Sequence, residues 1–196
     1  MLLPLSMNKT LTQISLLLRK LEVDWLVGGS CGLLLQGVDI GNQPRDLDIY
    51  VDTQGAMILY NALLPFATVP LAFNETEIYV SWLSHFLMEQ VAIELVGGFE
   101  VKATDSHYKV DVSRLLTKYA ITFHLNGGNS IKLMPLMHEL IFNVLRNRPD
   151  RYLAIAETIR KQEENGKVNI SLLNQLIELN TFSPQVMRLL NQLLTA

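Results

Sequence analysis

Apolar and polar positions alternate along the chain with two different periods, and each period predicts a type of element. Over residues 11–21 the apolar side chains recur every three or four positions, which predicts an amphipathic helix. Over 46–52, the sequence DLDIYVD alternates in polarity and is rich in β-branched and aromatic residues, which predicts a strand. Similar patterns predict strands at 25–27, 68–73, 77–83 and 90–97, helices at 31–37 and 54–64, and a strand running into a helix at 109–116.

The pattern changes after the sequence NGGN at 126–129, which is the strongest turn signal in the chain. Beyond it, helical spacing of apolar residues predicts helices within 135–147, 152–164 and 171–194. The prediction is an α+β fold, with a core domain over residues 1–125 and a helical C-terminal subdomain over residues 126–196. The leucine-rich stripe of the last segment is interpreted as core packing, with a homodimer interface as the alternative.

Composition narrows the classes of protein that this pattern allows. With 196 residues, 49% of them hydrophobic, the chain is long and apolar enough to fold without disulfides. The net charge of −3 argues against binding to a long nucleic acid. The single Cys31 excludes an internal disulfide and fits a cytoplasmic location. Neither a secretory signal nor a membrane span is predicted, because the apolar start MLLPLSM lacks a basic region and no apolar run is long enough.

Two carboxylates begin the predicted strand at 46–52. Side chains two positions apart lie on the same face of a strand, so we expect Asp46 and Asp48 side by side. Their mutual repulsion would be relieved by a divalent cation, and carboxylate oxygens suit Mg²⁺. Glu94 interrupts the apolar run VAIELV, where a buried acid needs a partner or a metal. The alternative for each acid is a solvated position, and Asp111 is a rival for the third carboxylate.

Gly28-Gly29-Ser30 connects a short predicted strand to a predicted helix. Two glycines allow a tight turn that a ligand can approach closely, and the following N–H groups with the Ser30 hydroxyl can bind a phosphate. The simpler alternative is a strand-to-helix turn with Ser30 as its N-cap. The same residues fit the Gly-x-Ser-x-Gly pattern of serine hydrolases, in which Ser30 would be the nucleophile. None of the four histidines, however, stands in a context that marks it as the base.

Together these motifs resemble the nucleotidyltransferase fold of the DNA polymerase β superfamily. The resemblance rests on WLVGGS at 25–30 and RDLDIYV at 45–51, and it covers about residues 10–100. Residues 135–150 are similar to the helix that follows the core in small bacterial members. Asn143 stands where those members often carry a lysine. Such members act on lincosamide or aminoglycoside drugs or, as toxin–antitoxin relatives, on a protein or a tRNA end.

The resemblance implies a mixed sheet flanked by helices and an enzyme with two substrates. It would move a nucleoside monophosphate from a nucleoside triphosphate, here ATP, to a hydroxyl of a small molecule or protein, with release of pyrophosphate. Gly28, Gly29 and Ser30 would hold the β- and γ-phosphates. The basic residues expected to neutralise phosphate are Arg45, Lys102 and Lys132.

The resemblance also assigns the three acids. Asp46 and Asp48 would bind one or two Mg²⁺ or Mn²⁺ ions, and Glu94 would be the third catalytic and metal-binding carboxylate. Two alternatives stay open at this point. The fold could serve as a non-catalytic nucleotide-binding or interaction module, or the protein could be a hydrolase that uses Ser30.

Overall fold

The computed structural model describes residues 3–162 and 166–195, with side chains described from residue 170 onwards in the second range. Within these two ranges, no helix combines the length and the apolar character that crossing a membrane requires. Two sequence predictions reach beyond them. Residues 1 and 2 of the apolar start lie outside the described residues. So do residues 163 and 164 of the helix predicted over 152–164.

One mixed sheet of eight strands, counted over the described residues, organises the fold. The strands are β1 Trp25–Gly28, β2 Asp46–Val51, β3 Ala67–Glu75, β4 Tyr79–Met88, β5 Val91–Ala103, β6 Ser106–Lys109, β7 Ile121–His124 and β8 Ser130–Leu133. Their order across the sheet is β3-β4-β5-β2-β1-β8-β7, and β6 pairs with the far end of β5. The pairs β2–β5 and β1–β8 are parallel and the others are antiparallel, which confirms the predicted α+β class with a mixed sheet.

Helices cover both faces of this sheet. They are α1 Leu5–Leu18, α2 Gly29–Leu35, α3 Thr53–Leu63, α4 Thr117–Tyr119, α5 Leu136–Leu145, α6 Pro149–Lys161, α7 Gly166–Leu179 and α8 Pro184–Thr195. Along β2, Leu47 and Ile49 enter the apolar cluster formed with α1 and α3, whereas Tyr50 enters the cluster formed with α5 to α8. Because side chains alternate along a strand, Asp46 and Asp48 lie on the face turned toward α5.

The sheet continues past the predicted boundary between residues 125 and 126. The turn at Asn126–Gly128 is confirmed, but it joins two strands that the apolar pattern did not predict, β7 and β8. Each has only four residues. Three side chains of β7 are exposed, and the alternation of β8 is too short to distinguish a strand from a loop. Val27 of β1 pairs with Leu133 of β8, so β8 lies inside the core sheet. The division into a core and a C-terminal subdomain stays a prediction.

The segment 171–194 contains parts of two helices, α7 and α8. The first of these helices ends at Leu179, and Pro184, which has no N–H, begins α8. The Ser183 hydroxyl accepts a hydrogen bond from the N–H of Val186, 3.3 Å away, and so caps the new helix. The interpretation of the leucine stripe as core packing is confirmed, since Leu172 is 1% exposed and Leu190 is fully buried.

Candidate active site

The register of three central strands brings the predicted site residues together. Gly28 at the end of β1 pairs with Asp48 of β2, and Asp48 pairs with Glu94 of β5. Asp46 lies two positions before Asp48 on the same face of the sheet. The three acids and the glycine turn are therefore neighbours, although they come from three separate segments of the chain.

These residues open onto one cleft with a volume of about 370 Å³. Gly29 and Ser30 line it, together with three chemical groups. The groups are the carboxylates Asp46, Asp48, Glu94 and Glu139, the aromatic side chains Tyr50, Tyr79, Phe99 and Phe142, and the arginines Arg146, Arg148 and Arg151. The cleft thus combines oxygen ligands suited to a cation with guanidinium groups suited to phosphate.

Asp48 is the carboxylate on which the electrostatic repulsion concentrates. Burial, and then the negative charges of Asp46, Glu94 and Glu139, raise its pKa to about 8. Burial also raises the pKa of Glu94, against the opposing effect of His85, whose Nδ1 lies 3.9 Å from Glu94 Oε2. A cation bound among these groups would favour their ionised forms.

The donor set fits a hard divalent cation that brings further ligands of its own. Within the described residues, no three Asp, Glu, His or Cys side chains form a group that could hold a metal ion by themselves. Mg²⁺ does not require such a group, because it usually binds one or two carboxylates together with waters and phosphate oxygens. Neither Asp46 nor Asp48 forms an ion pair in the part of the chain that the structure describes. The metal-binding role of these two acids stays a prediction.

The turn at Gly28-Gly29-Ser30 has a shape that requires glycine at two positions. The φ angle of Gly29 is +59°, and a Cβ there would overlap the Asp48 carboxylate. A Cβ at Gly28 would lie 2.7 Å from a ring carbon of Tyr50. Gly28 is the N-cap of α2, so the alternative in which Ser30 caps the helix is wrong. Ser30 instead lines the cleft beside the acids.

Glu139 is a cleft residue that the sequence analysis did not predict. Its side chain is 1% exposed, and its Oε1 accepts a hydrogen bond from the N–H of Gly29 over 2.7 Å. Burial raises the pKa of Glu139 to about 7, although the Gly29 N–H and the charges of Arg146 and Arg151 oppose this shift. The available signal was an acid within the apolar helix LMHELIF, the same signal that identified Glu94.

The three arginines of the cleft were not predicted either. Arg146 follows the last turn of α5, and its guanidinium carbon lies 4.7 Å from the centre of the Phe142 ring. Arg148 donates two hydrogen bonds to Asp150, over 3.0 and 2.8 Å, and Arg151 lies one residue beyond Asp150. The junction of α5 with the first turn of α6 therefore supplies the positive charge of the cleft.

The basic residues expected near phosphate lie elsewhere. Arg45 is exposed and is absent from the cleft lining, although it directly precedes the strand that carries the acids. Lys102 pairs with Glu75 over 3.4 Å and Lys132 with Asp24 over 3.9 Å. The expectation that these three residues contact phosphate is thus not supported, since position next to an acid in sequence does not set a side chain's direction.

Of the two candidates for the third carboxylate, only Glu94 reaches the cleft. Asp111 lies beside a separate surface pocket, which it shares with Asp52 at the other end of β2. Its Oδ1 accepts a hydrogen bond from the N–H of Arg114, 3.0 Å away, so it caps the turn Val112–Leu116. This capping role explains its position without a metal.

The structure also bears on the hydrolase alternative. No histidine is among the described residues that line the cleft beside Ser30. His138 is fully buried, and its Nδ1 shares a hydrogen bond with the Tyr108 hydroxyl over 2.7 Å. His85 and His107 lie near Glu94 and Glu100, respectively. Ser30 therefore has no histidine base beside it among the described residues of the cleft lining, which argues against a Ser-His nucleophile pair.

Comparison with known proteins gives an independent assignment of the fold. Residues 10–95 match the family described as aminoglycoside-2''-adenylyltransferase, and no curated protein matches the chain. A Thermotoga maritima protein provisionally described as a nucleotidyltransferase has a similar structure, with a TM-score of 0.65 and 24% identity, over 84% of this chain and 96% of that one. ANT(2'')-Ia, in complex with adenylyl-2''-tobramycin, gives a TM-score of 0.53 and 6% identity, over 87% and 98% of the two chains.

The predicted resemblance is therefore confirmed. The chain has the nucleotidyltransferase fold, and the family match covers the Gly-Gly-Ser turn, the Asp-x-Asp strand and Glu94. The family match also supports the prediction of an enzyme.

Proposed function

We propose that this protein is a metal-dependent nucleotidyltransferase that moves a nucleoside monophosphate from a nucleoside triphosphate to an acceptor hydroxyl. The observation that carries the proposal is the common cleft, in which Ser30 and the glycine turn stand beside Asp46, Asp48 and Glu94. The arginines at the junction of α5 and α6 complete it, since they supply charge of the sign that a triphosphate needs.

The triphosphate would bind between the turn and the arginines. The Ser30 hydroxyl donates to a phosphate oxygen, and Arg146 and Arg151 offer planar guanidinium groups that bind phosphate through paired hydrogen bonds. Arg148 adds its charge while its Nε and Nη2 donate to Asp150. The positive charge of these groups stabilises the negative charge that develops on the leaving pyrophosphate. Asn143, at the position where the family often has a lysine, lines the cleft and donates to the Glu139 carbonyl over 2.8 Å, so it does not supply the charge that a lysine would.

Asp46 and Asp48 would hold Mg²⁺ or Mn²⁺ against the triphosphate. A divalent cation bound there supplies charge stabilisation at the phosphate undergoing transfer. Glu94 is 39% exposed and accepts the proton of the acceptor hydroxyl. The hydroxyl oxygen forms a new bond to the α-phosphorus, the bond from that phosphorus to the bridging oxygen breaks, and pyrophosphate leaves.

The size of the cleft supports a small-molecule acceptor. Its volume of about 370 Å³ lies in the range of small-ligand pockets, roughly 300–1,000 Å³. The aromatic side chains Tyr79, Phe99 and Phe142 offer apolar surface to a ring. Because the complex of ANT(2'')-Ia contains an adenylylated drug, we propose ATP as the donor and a hydroxylated antibiotic as the acceptor to test before proteins.

The experiment measures binding and transfer separately. Titration calorimetry with Mg²⁺ and each nucleoside triphosphate is expected to show binding of ATP, and release of pyrophosphate is then measured against a panel of aminoglycosides and lincosamides. Asp48→Asn is expected to abolish metal-dependent binding, whereas the surface variant Asp24→Asn keeps it. No binding of any triphosphate would refute the proposal. Binding without transfer to any acceptor would favour the non-catalytic nucleotide-binding module.

A further inference from the structure

Four carboxylates line the cleft among the described residues, and the proposed transfer gives a role to all of them except Glu139. It lies in the first turn of α5, and its side chain is almost completely buried. Its Oε1 and the backbone nitrogen of Gly29 are 2.7 Å apart in a hydrogen bond that spans 110 residues of sequence. Hydrogen bonds from an N–H to a carboxylate are among the stronger ones in proteins. Glu139 therefore ties α5 to the glycine turn.

The carboxylate also fills the space behind this turn. A Cβ at Gly28 would lie 2.9 Å from Glu139 Oε1, so backbone and carboxylate are in direct contact there. Gly29 has its left-handed conformation at the same point. Without an oxygen at position 139, the Gly29 N–H would lose its acceptor and the turn would lose its support.

The bond limits which groups of the turn are available to a phosphate. While the Gly29 N–H donates to Glu139, it does not donate to a ligand. The Ser30 hydroxyl lines the same cleft and has no internal hydrogen-bond partner within the described residues. Because the hydrogen bond to Glu139 fixes the turn, Ser30 has one conformation before the ligand binds. Ligand binding then loses less free energy in ordering the turn.

We propose that Glu139 is a positioning residue whose carboxylate holds the turn Gly28-Gly29-Ser30 in the conformation that receives the triphosphate. This inference rests on the proposed function, because it takes the triphosphate as the ligand of the turn. The role requires an oxygen acceptor at this place rather than a negative charge. An amide of the same shape therefore serves, and an apolar side chain of similar length does not.

The test compares two variants of Glu139 with a matched control. Glu139→Gln keeps an oxygen acceptor, and Glu139→Met keeps the length of the side chain without one. Leu145→Ala is the control, because Leu145 lies on the same helix, is 3% exposed and is outside the cleft lining. Truncation of the Leu145 side chain lowers the free energy of unfolding and leaves the contacts of the glycine turn unchanged.

Titration calorimetry with Mg²⁺ and ATP is expected to show about tenfold weaker binding for Glu139→Met, which is the loss that one hydrogen bond to the Gly29 N–H predicts. Glu139→Gln and Leu145→Ala are expected to bind ATP like the parent protein. In transfer assays, Glu139→Met is expected to raise the KM for ATP more than it lowers kcat, a split that general destabilisation does not produce.

Amide hydrogen exchange at Gly29, measured without nucleotide, gives a readout that does not depend on activity. We expect faster exchange in Glu139→Met than in Glu139→Gln or the parent. If the parent binds ATP and Glu139→Met binds it equally well or more tightly, the positioning role is overturned and the proposed function stands. Equal Gly29 exchange in all variants overturns it as well. If the parent binds no triphosphate, the proposed function fails and this role fails with it.

Discussion

Replacing Asp48 with Asn is expected to stabilise the metal-free protein. In the folded state, burial and the neighbouring acids raise the pKa of this carboxyl from 3.8 to about 8. Each pKa unit corresponds to about 1.4 kcal/mol, so at pH 7 the acid lowers the free energy of unfolding by about 4 kcal/mol as an upper bound. Asn carries no charge and escapes this cost. An acid at this position is therefore unfavourable for stability, as expected if Asp48 has the proposed role of metal ligand.

The sign of the pH dependence follows from proton binding. Between about pH 4 and pH 8 the folded protein holds a proton on Asp48 that the unfolded chain has released, so the contribution of this group to stability falls as the pH rises. Urea unfolding in the presence of a chelator, at pH 4.5 and at pH 7, measures this difference. Asp48→Asn is expected to gain stability over the parent at pH 7 and to gain little at pH 4.5.

Two further measurements make the result decisive. The surface variant Asp24→Asn is the control, and its unfolding free energy is expected to change by less than about 0.5 kcal/mol at either pH. Mg²⁺ with ATP is expected to stabilise the parent but not Asp48→Asn, because only a ligand that binds the folded state shifts unfolding. Equal stability of Asp48→Asn and the parent at pH 7, or an equal difference at both pH values, would refute the electrostatic reasoning.

Three other substitutions or probes test separate parts of the structure. Gly29→Ala is expected to lower the free energy of unfolding in urea by more than about 2 kcal/mol and to abolish ATP binding. Gly37→Ala is the control, because Gly37 has a φ of +81° but no atom within 4 Å of a new Cβ, so only its backbone conformation is unfavourable. Cys31 is fully buried and its thiol pKa is raised to about 12, so at pH 8 it is expected to react with a disulfide reagent only as fast as the protein unfolds. Tyr108→Phe removes the hydrogen bond to His138 and is expected to lower the free energy of unfolding by about 1–3 kcal/mol, since a buried nitrogen loses its partner.

Much of the sheet was predictable because its central strands carry the sequence signals that burial on one face imposes. The strand predicted at 46–52 is observed as Asp46–Val51, and the one predicted at 90–97 begins at Val91. Even the convergence of Asp48 with Glu94 could be expected, since each acid conflicts with its apolar surroundings. Such conflicts are local, so a single sequence shows them.

The partners of those acids were not predictable for the opposite reason. Glu139 and Gly29 are 110 residues apart in sequence, and no feature of either segment predicts its contact with the other. Arg148 and Arg151 enter the cleft because α5 packs on β5 and turns into α6 at its edge, a geometry that depends on the whole core. In the sequence these arginines are indistinguishable from solvated helix ends.

The place of β1 in the sheet has a consequence for how the chain reaches its folded state. One side of β1 pairs with β2, the next strand along the chain, but its other side pairs with β8, about a hundred residues later. Contacts between such distant segments form slowly, and until they form Val27 lies on an open strand edge. A nascent chain that stops before Leu133 would expose that edge to other copies. Translation must therefore reach β8, about two thirds of the way along the chain, before this edge of β1 is covered.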